Sequence, residues 1–418
     1  MIRIWRGFHS KELLGLIQQS WKNDELLILC PPGLKDFSFL EFLPAGEVKM
    51  AGDWSGAAIQ PLPEQLSENR KTHKARYPSN PILGVFTSGT SSGAPRLVLY
   101  SKENLEFALN GIRSFFDTDR FDTLFCYPQP FHTFGLVLGY VHAALHGLEL
   151  VTGEGRYSQN FHRQRVALRK SSVLTLGAPT HFHDLLSFTR SQNVTLEPSY
   201  SCIVGGAKVF VSLWHEIRDT LKVEAPSIGY GATEASPGVT HQNPGQAPLE
   251  AGEIGTVIPG ISTRIFPGEG LEFSGPNVCL AIVHEGKIEF PQQILLRDDI
   301  RARSDGVLIY AGRTDLVLNR GGQKFSLEGM EEKIRKEVGI EALCVIVPHE
   351  RLGEELGILV QGPPVLERKM NIYSFLQKEF GQAFDHRQFI AVEQFPLNES
   401  LKVDRKRGTQ LLLELRDF

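Results

Sequence analysis

The run Phe86-Thr-Ser-Gly-Thr-Ser-Ser-Gly-Ala-Pro-Arg-Leu-Val98 gathers hydroxyls, glycines and one arginine behind a short apolar stretch, Pro81 to Phe86. Residues of these types can hold phosphate. Glycine lets backbone N–H groups turn inward without a Cβ in the way, hydroxyls donate further hydrogen bonds, and Arg96 presents a fork of permanently charged donors. The composition also fits a flexible Ser/Gly surface turn. A second constellation, Ser227-Ile-Gly-Tyr-Gly-Ala-Thr-Glu-Ala235, flanks Tyr230 with glycines and follows it with Thr233 and Glu234. An aromatic face bared by its neighbours can stack on a base, while a hydroxyl and a carboxylate reach phosphate and Mg²⁺. A glycine turn around a buried tyrosine uses the same residues, so both readings stay open.

Two familiar nucleotide motifs are excluded. Gly89 and Gly93 enclose three residues rather than four, and Ala-Pro-Arg follows where a Walker loop needs Gly-Lys-Ser/Thr. Gly229-Tyr-Gly231 and Gly268-Glu-Gly270 each lack the third glycine of a dinucleotide fingerprint.

Positioning such residues calls for strands that end in loops. Between residues 80 and 320, β-rich runs alternate with helical segments: Ile82 to Phe86, Thr123 to Tyr127, Leu148 to Val151, Val173 to Leu176, Tyr200 to Val204 and Ser227 to Tyr230. Several close on glycine, proline or a polar turn, which predicts α/β layering with sites at the strand ends. Arg264 to Val283 and Lys287 to Phe290 read as short strands with Gly/Pro turns, a small antiparallel or barrel-like part. Beyond Gly312-Arg-Thr-Asp315, Ser326 to Val338 and Ile372 to Phe380 read as helices, and Leu343 to Val347 and Gly357 to Gln361 as strands. The expected organisation is a large layered α/β domain over residues 1–314 and a small α+β domain over residues 315–418.

The chain has 418 residues, 41% of them apolar and 22% charged, with a formal net charge of -4. That length predicts more than one structural unit, and the charge gives no bulk attraction to nucleic acid or an acidic membrane. Cysteines 30, 126, 202, 279 and 344 show no paired zinc spacing, and their odd number suits a reducing compartment. The start of the chain lacks the uninterrupted apolar core of a secretory signal. Leu136 to Val151 is broken by His142, His146 and Glu149, so no membrane span is expected. A cytoplasmic location follows as the expectation.

The order and spacing of the Thr87 and Tyr230 segments resemble the AMP-forming adenylating family, which includes acyl-CoA synthetases, luciferases and peptide-synthetase adenylation domains. The resemblance extends over nearly all of residues 80–418. It implies that Thr87, Ser88, Gly89, Thr90, Ser91, Gly93 and Arg96 hold the phosphates of ATP. Pro130-Phe-His-Thr-Phe-Gly135 looks like the family's acyl segment, giving His132, Phe134 and Gly135 to the acid, with Ala235. His132 is either a packed core histidine or a gate beside the carboxylate. Gly206 and Tyr230 with Gly231 correspond to the adenine site, Thr233 and Glu234 to phosphate and Mg²⁺ contacts. Gly252-Glu-Ile-Gly255 and Ser274-Gly-Pro-Asn277 resemble structural connectors. Asp299 matches the ribose aspartate, Arg313 the ribose/phosphate arginine, Asp315 the hinge, Gly321 and Gly322 the loop passed by the thiol arm, and Lys402 the catalytic amine.

The implied activity is ATP-dependent conversion of a small carboxylic acid to an acyl-adenylate, then transfer to the thiol of CoA, with a swing about Asp315 between the steps. The phosphate loop is one residue longer than usual and ends in Arg96 where lysine is common. Arg297-Asp-Asp stands where Thr-Gly-Asp is usual, and only 86 residues precede Thr87. The short leader predicts that part of the first sheet is missing, with a homodimer as one source of compensating stability. The Pro396-Leu-Asn-Glu-Ser-Leu-Lys-Val-Asp-Arg405 ending looks most like the o-succinylbenzoate-CoA ligase branch of menaquinone synthesis. A generic aryl or fatty acyl-CoA synthetase, a carrier-protein loader and a silent nucleotide binder are the alternatives.

Overall fold

The computed structural model describes residues 1–32, 34, 38–44, 46–52, 77–87, 96–321, 323–363, 366–398 and 403–415. Ser88, Gly89, Thr90, Ser91, Gly93, Gly322 and Lys402 lie outside the described residues. The chain is a mixed α/β protein with a large N-terminal and a small C-terminal unit. The first comprises Met1–Arg264, Glu272–Leu296 and Ala302–Ile309; the second comprises Ile265–Leu271, Arg297–Arg301 and Tyr310–Phe418. The chain therefore leaves the first unit at Ile309, and two short excursions precede that point.

Among the described residues, two large sheets build the first unit. One has seven strands in the order Lys287–Glu289, Ala281–His284, Arg96–Tyr100, Leu83–Thr87, Leu26–Cys30, Ile2–Arg6 and Val48–Gly52. Leu26–Cys30 is buried along its whole length, as a continuous apolar run between two parallel neighbours should be. Leu83–Thr87 runs antiparallel to Arg96–Tyr100 with Thr87 opposite Arg96, so both feet of the hydroxyl-rich segment are fixed by strand pairing. Three strands of this sheet form before residue 53. The hairpin Ala281–His284/Lys287–Glu289 extends this sheet, while Ser262–Phe266, Gly270–Ser274 and Gln293–Leu296 form a separate small sheet of three strands, in keeping with the short strands and Gly/Pro turns read there.

The second sheet orders Glu149–Thr152, Thr123–Cys126, Val173–Gly177, Ser199–Gly205 and Val223–Gly231 as parallel neighbours, then adds Gly238–His241 and Glu253–Val257 antiparallel. Helices Gln159–Ala167, Pro179–Gln192 and Val211–Asp219 contribute Phe161, Phe182 and Trp214 to one core with Phe125, Val204 and Ile228 of these strands. The carboxyl ends of the parallel strands release Tyr127–Phe134, Ala178, Gly206 and Ala232–Glu234 at one edge, where ligands of α/β sheets bind. Phe134–Val141 continues from that edge as a π-helical turn, a geometry that recurs at functional sites. A Cβ on Gly135 would lie 2.1 Å from the Pro128 carbonyl oxygen, so only glycine fits there.

In the second unit, strands Val317–Arg320, Gln323–Ser326, Ala342–His349, Gly353–Gln361 and Phe389–Val392 form one sheet. Helices Leu327–Val338, Leu366–Phe380 and Arg405–Leu415 bring Met330, Ile334, Ile372, Leu376 and Leu412 into its cores. Ser326 caps the first helix by accepting from Gly329 N, and Gly339 ends it in the left-handed region at φ 73.

Four of the five buried histidines of the first unit carry large shifts that bear on its acid response. Burial lowers His9 to about 4 and His142, His181 and His241 to about 3. His142 Nε2 lies 3.1 Å from Arg113 Nη1, a donor that requires the imidazole nitrogen to accept. Each group is neutral when folded and protonates near the usual 6.5 when unfolded, so below that pH the unfolded chain binds more protons and stability falls. Urea unfolding between pH 7 and pH 5 should lose up to about 1.4 kcal/mol per pH unit for each histidine, and His142→Gln should flatten the profile. A stability independent of pH over that range contradicts the assignment.

Candidate functional site

In the first unit the two motifs meet through side chains. The Arg96 guanidinium donates to Glu234 Oε1 at 2.7 Å, with the carboxylate buried and the arginine side chain 36% exposed. Tyr100, four residues along the same strand and fully buried, donates its hydroxyl to Thr233 O at 2.7 Å. Cys279 N donates to Glu234 O at 2.9 Å, and Asn277 Nδ2 donates to Ala235 O at 3.2 Å and Gly238 O at 2.8 Å. Asn104 Nδ2 in turn donates to Pro276 O and Val278 O, each at 2.9 Å. The Thr233–Ala235 turn is thus held on one side by the Arg96–Tyr100 strand and on the other by the Ser274–Asn277 connector. Tyr100, Cys279 and Asn104 were not legible as site residues; Tyr100 reads as one more apolar position of a buried strand.

Thr87 ends its strand with a buried hydroxyl that has no hydrogen-bond partner among the described residues. A buried hydroxyl beside an arginine is suited to an incoming acceptor such as phosphate. Gly231 is exposed, yet a Cβ there would lie 1.7 Å from the Pro237 carbonyl oxygen, so the backbone folds back closely beneath Tyr230. Gly206 takes φ 83 just after the Ser199–Gly205 strand, a turn that glycine makes without strain. Phe134 sits 3.7 Å from the position of a Cβ on Gly205, which places the acyl-type segment beside the adenine-type segment. His132 is half-buried, its ring 4.4 Å from that of Phe131. Glu253 of the Gly252–Gly255 connector is buried and accepts from Leu249 N at 2.8 Å and Arg303 Nη1 at 2.6 Å.

The second unit carries its own polar group. Arg313 clasps Asp315 through two bonds of 2.7 Å and reaches Asp298 Oδ1 at 3.5 Å, while its backbone N–H donates to Glu328 Oε2 at 2.9 Å. Burial alone would raise the Asp315 carboxyl, but the hydrogen bond and charge of Arg313 hold it below the ordinary value. Asp298, not Asp299, faces this arginine; Asp299 is exposed. Period-two alternation explains the difference. Asp298 shares the inward face of its strand with buried Ile300, and Asp299 points the other way. That signal was available in the sequence. Gly321 takes φ 57 at the turn of the Val317–Arg320/Gln323–Ser326 hairpin.

The segment bearing Lys402 is anchored at both ends. Leu397 bridges Val403, Asp404 N donates to Pro396 O at 2.8 Å, and Arg405 donates to Cys344 O at 2.7 Å and Glu331 Oε2 at 2.9 Å. Burial pushes the Glu331 carboxyl up, and the Arg405 charge offsets part of that rise. Among the described residues no cluster of three or more His, Cys, Asp or Glu side chains could hold a metal ion by itself. Mg²⁺ commonly keeps one or two carboxylates and takes its other ligands from water and phosphate, a role whose chemistry the single carboxylate of Glu234 fits.

A profile of the AMP-binding enzyme family matches residues 37–278. An acyl-CoA ligase of Ajellomyces capsulatus is 26% identical over 334 residues, which cover 75% of this chain and 56% of that protein. An acyl-CoA ligase of Aspergillus fumigatus is 25% identical over 320 residues, 71% of this chain and 53% of its own. The chain spans about half the length of these curated relatives. Among solved structures, the anthranilate CoA ligase AuaEII in complex with anthranoyl-AMP superposes with a TM-score of 0.76 at 16% identity, over 99% of this chain and 88% of its own. The o-succinylbenzoate CoA synthetase of Bacillus subtilis, in complex with its acyl-adenylate intermediate, gives 0.72 at 15% identity, over 97% and 87%. At such identities the likeness is one of fold. No helix among the described residues is long and apolar enough to cross a membrane.

Two substitutions probe the geometry. Gly231→Ala should destabilise the first unit by about 2 kcal/mol, because the added methyl meets backbone that cannot rotate away; an unchanged denaturation midpoint contradicts the close approach. Arg405→Met should cost about 3 kcal/mol by stranding the Glu331 carboxylate, and adding Glu331→Gln should recover much of that loss. Chemical denaturation of the single and double variants checks it.

Proposed function

Since the chain belongs to the AMP-binding enzyme family, we propose that it activates a carboxylic acid with ATP to an acyl-adenylate and passes the acyl group to the thiol of CoA. The observation that carries this reading is the 2.7 Å contact between Arg96 and Glu234, which joins the hydroxyl-rich segment to the Tyr230 turn 138 positions away. Both reactants of the first step are anions, so the barrier is largely electrostatic, and preorganised donors lower it most. Thr87 and Arg96, with Ser88, Gly89, Thr90, Ser91 and Gly93 beyond the described residues, are the phosphate donors in this proposal. Glu234 would hold Mg²⁺, which supplies charge neutralisation at the phosphates when bound. Tyr230, exposed in part between Gly229 and Gly231, offers its face to the base.

Asp298, with Arg313, is the better placed of the two adjacent aspartates to receive ribose hydroxyls, because it is the one directed at the arginine. Lys402 is proposed as the ammonium that balances charge as the carboxylate attacks the α-phosphate, and the Gly321–Gly322 turn as the path of the thiol arm. His132, Phe134 and Ala235 face the acid in this reading. The o-succinylbenzoate branch enters as one member of a substrate panel, beside aryl and fatty acids.

The test is carboxylate-dependent exchange of labelled pyrophosphate into ATP across such a panel, followed by CoA-ester formation with the acids that respond. Lys402→Ala should lower exchange by at least about a hundredfold, the scale on which removing one preorganised donor acts. It should still transfer a supplied acyl-adenylate to CoA. Absence of exchange with every acid overturns the proposal, as does an unimpaired Lys402→Ala.

A further inference from the structure

Behind His132 the first unit encloses a polar group that the reaction above does not use. His9 N donates to Gln129 Oε1 at 3.3 Å, and His9 Nδ1 lies 3.1 Å from the Tyr140 hydroxyl. Ala178 N donates to His181 Nδ1 at 2.9 Å, and the His181 ring stacks on Tyr127 with centroids 5.3 Å apart. Gln129 and His181 are only 4% and 3% exposed, yet Gln129 Nε2 and His181 Nε2 have no hydrogen-bond partner among the described residues.

The bonds that are made identify what is missing. An N–H at Gln129 Oε1 fixes the amide so that its NH₂ is the idle end. An N–H at His181 Nδ1 requires that nitrogen to be the acceptor, and burial keeps the imidazole neutral, so its one proton sits on the idle Nε2. Two buried donors therefore await an acceptor, and leaving both empty would be costly. His9 is likewise held neutral. Two neutral donors supply hydrogen bonds but no counter-charge, and a charge buried without a partner is costly, so they favour an uncharged oxygen over a carboxylate.

The sheet order says how far this acceptor lies from the reacting end. His181 follows strand Val173–Gly177 and Gln129 follows Thr123–Cys126, respectively two and three places from the Val223–Gly231 strand that leads to Glu234. At about 4.8 Å per strand the donors lie roughly 10–14 Å from that strand end, which leaves about 5–9 Å to a carboxylate seated between Gly205 and Thr233. Resting on the activity proposed above, we infer that the acid carries an uncharged hydrogen-bond acceptor, a ketone, amide or hydroxyl oxygen, about four to seven bonds from its carboxylate, and that Gln129 and His181 recognise it.

The experiment compares pyrophosphate exchange for acids differing only at that group: 5-oxohexanoate, 6-oxoheptanoate and 7-oxooctanoate against hexanoate, heptanoate and octanoate, 4-acetylbenzoate against 4-ethylbenzoate, and adipate and suberate as dianions. In the unmodified protein at least one oxo acid should exceed its methylene partner and the dianions in kcat/KM by about tenfold or more. Gln129→Leu and His181→Leu should each shrink that ratio, and together bring it near 1. Gln129→Glu and His181→Asn repeat the test if the leucine variants melt without cooperativity. Equal use of oxo and methylene acids, a preference for the dianions, or a preference that survives both variants overturns the subsite while leaving the activity standing. Absence of exchange with every acid overturns the activity itself and the subsite with it.

Discussion

The ion pair between Arg96 and Glu234 ties the seven-stranded sheet of the first unit to the loop leaving its parallel sheet. Neither partner could take its place without the other. Glu234 is buried, and a buried carboxylate needs a cation or several donors to remain charged. Tyr100 to Thr233 and Cys279 to Glu234 run alongside, so the seam between the sheets is polar and directional where most of the unit's packing is apolar. Apolar contact tolerates sliding, whereas these bonds are directional and hold the Thr233–Ala235 turn in one orientation.

What the sequence made legible follows from how local each signal is. The strands leading to the site were readable to within a few residues: Val173 to Leu176 was expected and Val173–Gly177 forms, Tyr200 to Val204 was expected and Ser199–Gly205 forms. These are short apolar runs closed by glycine, and both the run and its stop are written in consecutive residues. The helix Leu327–Val338 was as plain, because its cap, periodicity and terminal glycine all lie within one stretch. The hairpin Ala281–His284/Lys287–Glu289 was visible as strands but not as part of the first sheet, since its partner lies about 180 positions earlier at Arg96–Tyr100.

The site was legible in its residue types and less so in its directions. Asp298 and Asp299 differ by one position, and only the inward face shared with Ile300 separates them. The cluster of His9, Gln129, Tyr127 and His181 left no signature, because its members come from three separate stretches and each looks like an ordinary core or turn residue by itself. Burial and an incomplete hydrogen-bond count distinguish them, and both are properties of the folded chain.

The pairing of Thr87 with Arg96 also bears on how this family can drift in length. Between two feet already joined by the sheet, closure entropy grows only as the logarithm of the intervening span, so one residue added to a segment of this size costs about 0.1 kcal/mol. The scaffold is therefore nearly indifferent to insertions there. Any pressure to keep the segment at a particular length must come from what it binds, the triphosphate in the function proposed above, and the number of residues between those feet becomes a record of ligand fit rather than of foldability.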